Sequence, residues 1–136
     1  MTTRSFTIAG KPVAASRPRV PRYGKAYYEE PYNSWRVWAQ AELSGRWPWG
    51  PIEGPVSFVM EIYFKRPKRL GIGGREPRPS VPDNDNLEKA WFDSAKRAGI
   101  YSDDGQIVFN STMSWYCEHG TVPRVDITVG PWRKRA

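Results

Sequence analysis

Asp83, Asp85, Lys89 and the pair Asp103–Asp104 are the residues of this chain whose types and spacing can do chemistry. They lie in Pro82-Asp83-Asn84-Asp85-Asn86-Leu87-Glu88-Lys89 and in Asp103-Asp104-Gly105. Two carboxylates at i and i+2, just ahead of a helix, can converge on one cation. Mg²⁺ suits such a site, because it takes oxygen ligands and keeps several waters. A divalent ion held there polarises a phosphoryl oxygen, lowers the pKa of a water and stabilises a leaving oxygen. Asp85 and Lys89 are four apart and share a helical face, opposite the stripe that holds Leu87 and Trp91. Plainer readings exist for each feature. Asp83, Asn84 or Asp85 can cap a helix, Asp85–Lys89 can be an exposed helix pair, and Asp103-Asp104-Gly105 can be a turn. A cap needs one such residue, whereas this segment offers several.

The rest of the chain is basic. Over 136 residues the formal charge is +7, which favours an acidic partner, nucleic acid above all. A tight acidic cluster repels a polyanion unless a divalent cation sits between them, so the charge layout is that of a metal-dependent nuclease. Cys117 is the single cysteine, which excludes an intramolecular disulfide and a Cys-based zinc site. His119 is the single histidine, too few for a His-Asn-His nuclease. The Gly71–Gly74 segment lacks the Gly-Lys-[Ser/Thr] of a phosphate loop. Neither a leader-like h-region nor an 18-residue apolar run is present, so the expectation is a cytoplasmic protein with no membrane partner.

The length fits one domain over residues 1–136. A short strand is expected at Ser5–Ala9. Breakers Pro18, Pro21, Gly24 and Pro31 make residues 16–31 a loop, which carries Arg17, Arg19, Arg22 and Lys25. A helix follows at 33–45, then the clearest strand at 55–65, with Val56, Phe58, Met60, Ile62 and Phe64 at period two. A basic Pro/Gly loop spans 65–82, with Lys65, Arg66, Lys68, Arg69, Arg75 and Arg78. The stripe Leu87, Ala90, Trp91, Ser94, Ala95 and Ala98 predicts a second helix at 84–98, stopped by Gly99. Strands at 106–116 and 122–129 are expected to pair through a hairpin at Cys117–Thr121. Ile107, Phe109, Met113 and Trp115 would share one face of the first, and Val125, Ile127 and Val129 one face of the second. A loose basic tail completes the chain at 131–136. The order β-α-β-α-β-β predicts an α+β domain with a small mixed β-sheet and helices on one face.

The run Asp83-Asn84-Asp85-Asn86-Leu87-Glu88-Lys89-Ala90-Trp91-Phe92-Asp93, then Ala98-Gly99-Ile100-Tyr101-Ser102-Asp103-Asp104-Gly105-Gln106-Ile107, resembles the RusA family. These are phage and bacterial endodeoxyribonucleases that resolve Holliday junctions in DNA recombination and repair. Ser16-Arg17-Pro18-Arg19 with Gly24 is similar to an Arg-Pro-Arg…Gly stretch of many members. The resemblance implies metal-binding carboxylates at Asp83, Asp85 and Asp104, a catalytic lysine at Lys89 and a supporting role for Asp103. It further implies Mg²⁺, a homodimer and paired nicks across a four-way junction. Two features depart from the pattern. Pro77-Arg78-Pro79-Ser80-Val81-Pro82 displaces the basic run that abuts Asp-x-Asp in some members, and the 65–82 loop is long.

On this reading Arg17, Arg19, Arg22, Lys25, Lys68, Arg69 and Arg75 contact DNA backbone phosphates, which position DNA without reading sequence. Two competing readings are a non-catalytic DNA-binding protein and a metal-dependent nuclease of another class. The Glu-x-Lys restriction type fits poorly, because Glu88 and Lys89 are adjacent. A geometric difficulty accompanies the leading reading. A helix of about 15 residues spans roughly 22 Å, with Asp83 and Asp85 at its start and Asp104 beyond its end. Either residues 99–104 double back, or Asp104 meets the Asp83/Asp85 pair of another subunit.

Overall fold

The computed structural model describes residues 1–134. Five strands form one mixed sheet: β1 (Arg4–Ala9), β2 (Val56–Phe64), β3 (Glu76–Pro77), β4 (Ile107–Tyr116) and β5 (Arg124–Pro131). Two helices, α1 (Tyr32–Arg46) and α2 (Asn84–Arg97), complete the α+β domain. The spatial order is β1-β5-β2-β4-β3.

β2 lies at the centre because its sequence demands burial. Val56, Phe58, Met60 and Ile62 are all at most 1% exposed. They face the helices together with Val125, Ile127 and Val129 of β5, in antiparallel register Phe58↔Val129, Met60↔Ile127 and Ile62↔Val125. Trp35, Ala39 and Leu43 from α1 and Leu87, Ala90, Trp91 and Ala95 from α2 close the core. Trp35 and Trp91 meet edge-to-face at 4.8 Å and lock the two helices together, a contact worth about 0.5–1.5 kcal/mol beyond its buried area.

The expected hairpin between the last two strands is corrected by the sheet order. β4 pairs with β2 in parallel, Met60↔Thr112, and β5 pairs with β2 on its other edge. The intervening 117–123 segment is long enough to cross the end of β2, whereas a tight hairpin would need only a few residues. It is pinned there by the Cys117 N–H donating to Phe64 O. Phe109, Met113 and Trp115 do share a face, but it is the face away from the helices, and Phe109 and Met113 are about half exposed. Ile107 leaves that row at a register shift between Val56 and Ser57 of β2 and packs against the core. The helix side of β4 is instead polar, with Asn110, Thr112 and Ser114.

The 65–82 loop is more ordered than its composition predicts. It contains a short 3₁₀ turn at Lys68–Leu70 and the two-residue β3. Arg66 staples it by donating to the carbonyls of Leu70, Gly71, Gly74 and Cys117. The predicted tail is in part tied down. Pro131 belongs to β5, and the Trp132 N–H donates to Pro55 O. Arg135 and Ala136 lie outside the described residues.

Candidate active site

α2 begins where the sequence places it, with Asp83 at the N-cap in extended conformation and no cap hydrogen bond from its side chain. The capping alternative for Asp83 therefore loses its basis, and its carboxylate stays exposed and uncommitted. Asp85 lies in the first turn, where the positive end of the helix dipole favours an anion. Asp85 and Lys89 are both exposed, and among the described residues no ion pair joins them. The stripe of Leu87, Ala90, Trp91, Ser94 and Ala95 is buried beneath. Burial of that stripe fixes the outward rotation of Asp85 and Lys89.

Two backbone carbonyls and one side chain of β4 hold this helix start. Asn84 donates its side-chain amide to Thr112 O at 3.0 Å, and Asn110 donates to Glu88 Oε1 at 3.0 Å. The Arg78 N–H donates to Ser114 O at 3.1 Å. Arg78 belongs among the loop's basic residues by sequence, but it is only 6% exposed and is not a surface cation. Its guanidinium sits 3.7 Å over the Phe64 ring. It donates to Ser80 Oγ, Val81 O and Pro82 O at 2.7–2.9 Å. Arg78 thus shapes the turn that delivers Asp83. Together with Ser80, Val81, Asn84 and Ser114 these residues line an open cleft of about 410 Å³ with Asp83 on its wall.

Asp103 and Asp104 follow a well-built stop. Gly99 adopts φ 83°, its N–H donates to Lys96 O, and the Ile100 N–H donates to Ala95 O, a Schellman arrangement. The chain then doubles back only partway. Tyr101 is buried and donates its hydroxyl to Phe92 O at 2.7 Å. Phe92 lies eight residues into α2, about 12 Å from its start. Asp103 caps the 3₁₀ turn Asp104–Gln106, accepting from the Gly105 N–H while the Gln106 side chain accepts from the Asp103 N–H. The Gly105 amide, with a hydrogen bond involving Asp104, holds the Asp103 carboxyl below its usual range. Asp103 is accordingly a turn-building residue, and Asp104 is exposed beside it.

The carboxylates fall into two groups along β4. Asn84 marks the Asp83/Asp85 end at Thr112, while Asp104 precedes Ile107, where the strand begins. The five steps from Ile107 to Thr112 alone span about 17 Å. Among the described residues, no cluster of three or more His, Cys, Asp or Glu is placed to hold a metal ion. Asp83 and Asp85, two residues apart at the start of α2, supply the hard oxygen donors that Mg²⁺ prefers.

The basic residues divide similarly. Arg19 pairs with Glu29 at 3.0 Å and is held in a β-bridge to Tyr27, which makes the 16–31 loop a small hairpin with Arg22 and Lys25 near its tip. Arg17, Arg22, Lys25 and Lys68 are exposed, and among the described residues none is in an ion pair. Arg69 lies over the Tyr116 ring. Arg75 is engaged on the open sheet face by Glu61, by the Tyr63 hydroxyl and by Trp115, 3.9 Å beneath it.

Carboxylates at a helix start, set on a small α+β domain with a basic hairpin, are features that a phosphodiester-handling protein requires. The family model described as endodeoxyribonuclease RusA matches residues 9–130, nearly the whole chain. The chain belongs to the RusA family, DNA-cleaving hydrolases that bind DNA. It is also 32% identical, over 91% of its length and 93% of the relative's, to the uncharacterized protein YqaN of Bacillus subtilis strain 168.

Proposed function

We propose that this protein is a Mg²⁺-dependent, structure-selective endonuclease that resolves Holliday junctions in DNA recombination and repair. The uncapped Asp83 at the start of α2, beside Asp85 and Lys89, is the observation that carries this reading. Asp83, Asp85 and Asp104 would hold Mg²⁺, which supplies charge stabilisation at the phosphoryl oxygen and activation of water. Lys89, one turn above Asp85, neutralises charge on the scissile phosphate or orients the attacking water. Arg78 keeps Asp83 in place, and Asp103 keeps Asp104 in place. Arg17, Arg22, Lys25, Lys68 and Arg69 hold backbone phosphates, and Arg19 and Arg75 join them where DNA displaces Glu29 and Glu61.

The distance between the two carboxylate groups favours a homodimer with shared sites, each built from Asp83 and Asp85 of one chain and Asp104 of the partner subunit. The outer edge of β4 offers a docking surface. β3 covers it only at Trp115 and Tyr116, the 78–84 segment covers it at Thr112 and Ser114, and Val108 to Ser111 are exposed. Exposed apolar edge strands are ready templates for pairing with another chain. A cytoplasmic location, bacterial or phage-encoded, agrees with this role. Among the described residues, no helix is long and apolar enough to cross a membrane.

The test is cleavage of a synthetic four-way DNA junction beside a linear duplex of the same arms, with and without Mg²⁺. Symmetric Mg²⁺-dependent nicks on the junction alone, lost in Asp83→Asn, are the expected result. Equal cutting of both substrates would replace the resolvase by a general nuclease. Binding without cutting would leave a DNA-binding protein.

A further inference from the structure

A second charged site lies away from the carboxylates. Arg36 of α1 and Lys96 and Arg97 of α2 line an open cavity of about 590 Å³, together with Pro51, Asp93 and Tyr101. Three cations face one carboxylate there, and among the described residues none of the four is in an ion pair. The two guanidiniums are also held in place. Arg36 stacks over the Tyr28 ring at 4.1 Å, and Arg97 donates to Ser94 Oγ at 3.0 Å. The Arg36 Nε is shielded from solvent and has no hydrogen-bond partner. Burial and the neighbouring Arg36 charge both disfavour protonated Arg97, lowering its pKa. Crowding two fixed like charges is a cost that a bound oxyanion would relieve.

We propose that the Arg36–Lys96–Arg97 cavity binds a phosphate group of the DNA backbone, next to the strand segment that passes Asp104. Its position supports that ligand. Tyr28, which stacks on Arg36, belongs to the basic hairpin that carries Arg17, Arg22 and Lys25. Ser102, at the cavity's other rim, is two residues from Asp104. The cavity therefore lies between the hairpin and the segment that carries the second carboxylate group. Two planar guanidinium forks suit a tetrahedral oxyanion, which they bind through paired hydrogen bonds. The inference rests on the nuclease reading only for the source of the phosphate.

The test measures binding to a four-way junction and to duplex DNA at several salt concentrations without metal, so it does not depend on cutting. Variants are Arg36→Gln/Arg97→Gln and Lys96→Ala, the latter at an exposed site that should fold normally. The expected result is binding weakened about tenfold in the double variant, with the log–log salt slope shallower by roughly 0.9 for each phosphate no longer neutralised. Lys96→Ala should weaken binding less, in the same direction. An unchanged slope and affinity in folded variants would overturn the proposal. In a parallel arm, inorganic phosphate is titrated into the wild type while arginine side-chain NMR signals are followed. Phosphate saturation at Arg36 and Arg97 with the DNA slope unchanged in the variants would mark a small-anion site and overturn the DNA assignment. A protein that never cuts any junction, yet shows the slope change, would retain this site while losing the nuclease reading.

Discussion

At the scale of single residues, two aspartates beyond opposite ends of α2 have opposite tasks. Asp83 holds the N-cap position without using its side chain for the cap, so Asp83→Asn should leave the urea midpoint essentially unchanged while cutting falls by a factor of roughly 10² or more. Junction binding without metal should be retained or tightened, because a charge that repels phosphate has gone. Loss of fold in this variant would return Asp83 to a structural role. Asp103 behaves differently because its carboxylate accepts the Gly105 amide. Its pKa in the folded state is held below the ordinary value of 3.8. The stabilisation is then fully present above about pH 4 and is lost as pH falls through the lower, folded-state pKa. Asp103→Asn, which keeps the acceptor oxygen but not the charge, should flatten that acid-side loss in melting temperatures recorded from about pH 5 to about pH 2.5. An equal acid loss in both proteins would assign it elsewhere.

At the scale of elements, α2 and its preceding loop act as one unit, and Arg78 joins them. Replacing Arg78 by Ala removes three hydrogen bonds and the Phe64 contact and leaves carbonyls at 81 and 82 to find other donors. The expected loss is about 2–4 kcal/mol in chemical denaturation. Arg78→Lys should recover part of the stability but little of the cutting, because one ammonium cannot replace a planar fork across three acceptors. Full activity in a folded Arg78→Lys protein would show that the turn does not position Asp83. Sequence reading finds α2 because its apolar stripe repeats at helical spacing and Gly99 ends it. It finds β2 because alternation there is strict. It misplaces Arg78, whose position in a Pro-rich basic loop gives no sign that the guanidinium turns inward onto Phe64. It also pairs β4 with β5, since proximity in sequence favours a hairpin and only the burial demand of β2 puts that strand between them. The polar residues Asn110, Thr112 and Ser114 carry a usable signal. Of these, Asn110 reaches Glu88 on α2 and Ser114 reaches the Arg78 carbonyl in the loop before it.

At the scale of the whole molecule, the separation of Asp104 from Asp83 and Asp85 decides what the functional unit is. The Schellman stop and the Tyr101–Phe92 hydrogen bond fix residues 99–104 beside the C-terminal half of α2. Those interactions would have to break for Asp104 to reach the other pair within one chain. Assembly of two chains needs no such rearrangement. If sites are shared, an Asp85→Asn chain still offers Asp104, and an Asp104→Asn chain still offers Asp83 and Asp85. Their heterodimer holds one site with both defects and one with none. Random exchange makes half of the dimers mixed, so nicking of a junction should return to about a quarter of the wild-type level, from two parents that are each inactive. Paired nicking, which needs two intact sites in one dimer, should stay absent. That split between single and double nicks separates shared sites from contamination by wild type, which would restore both. If the mixture stays inactive while mass analysis shows heterodimers present, each site is confined to one chain and Asp104 acts outside it. A charge placed on the exposed β4 edge, as in Val108→Lys, should weaken a dimer built through that edge and lower the variant's cutting most at low protein concentration. Binding of a single duplex arm should change little, since the basic hairpin lies elsewhere.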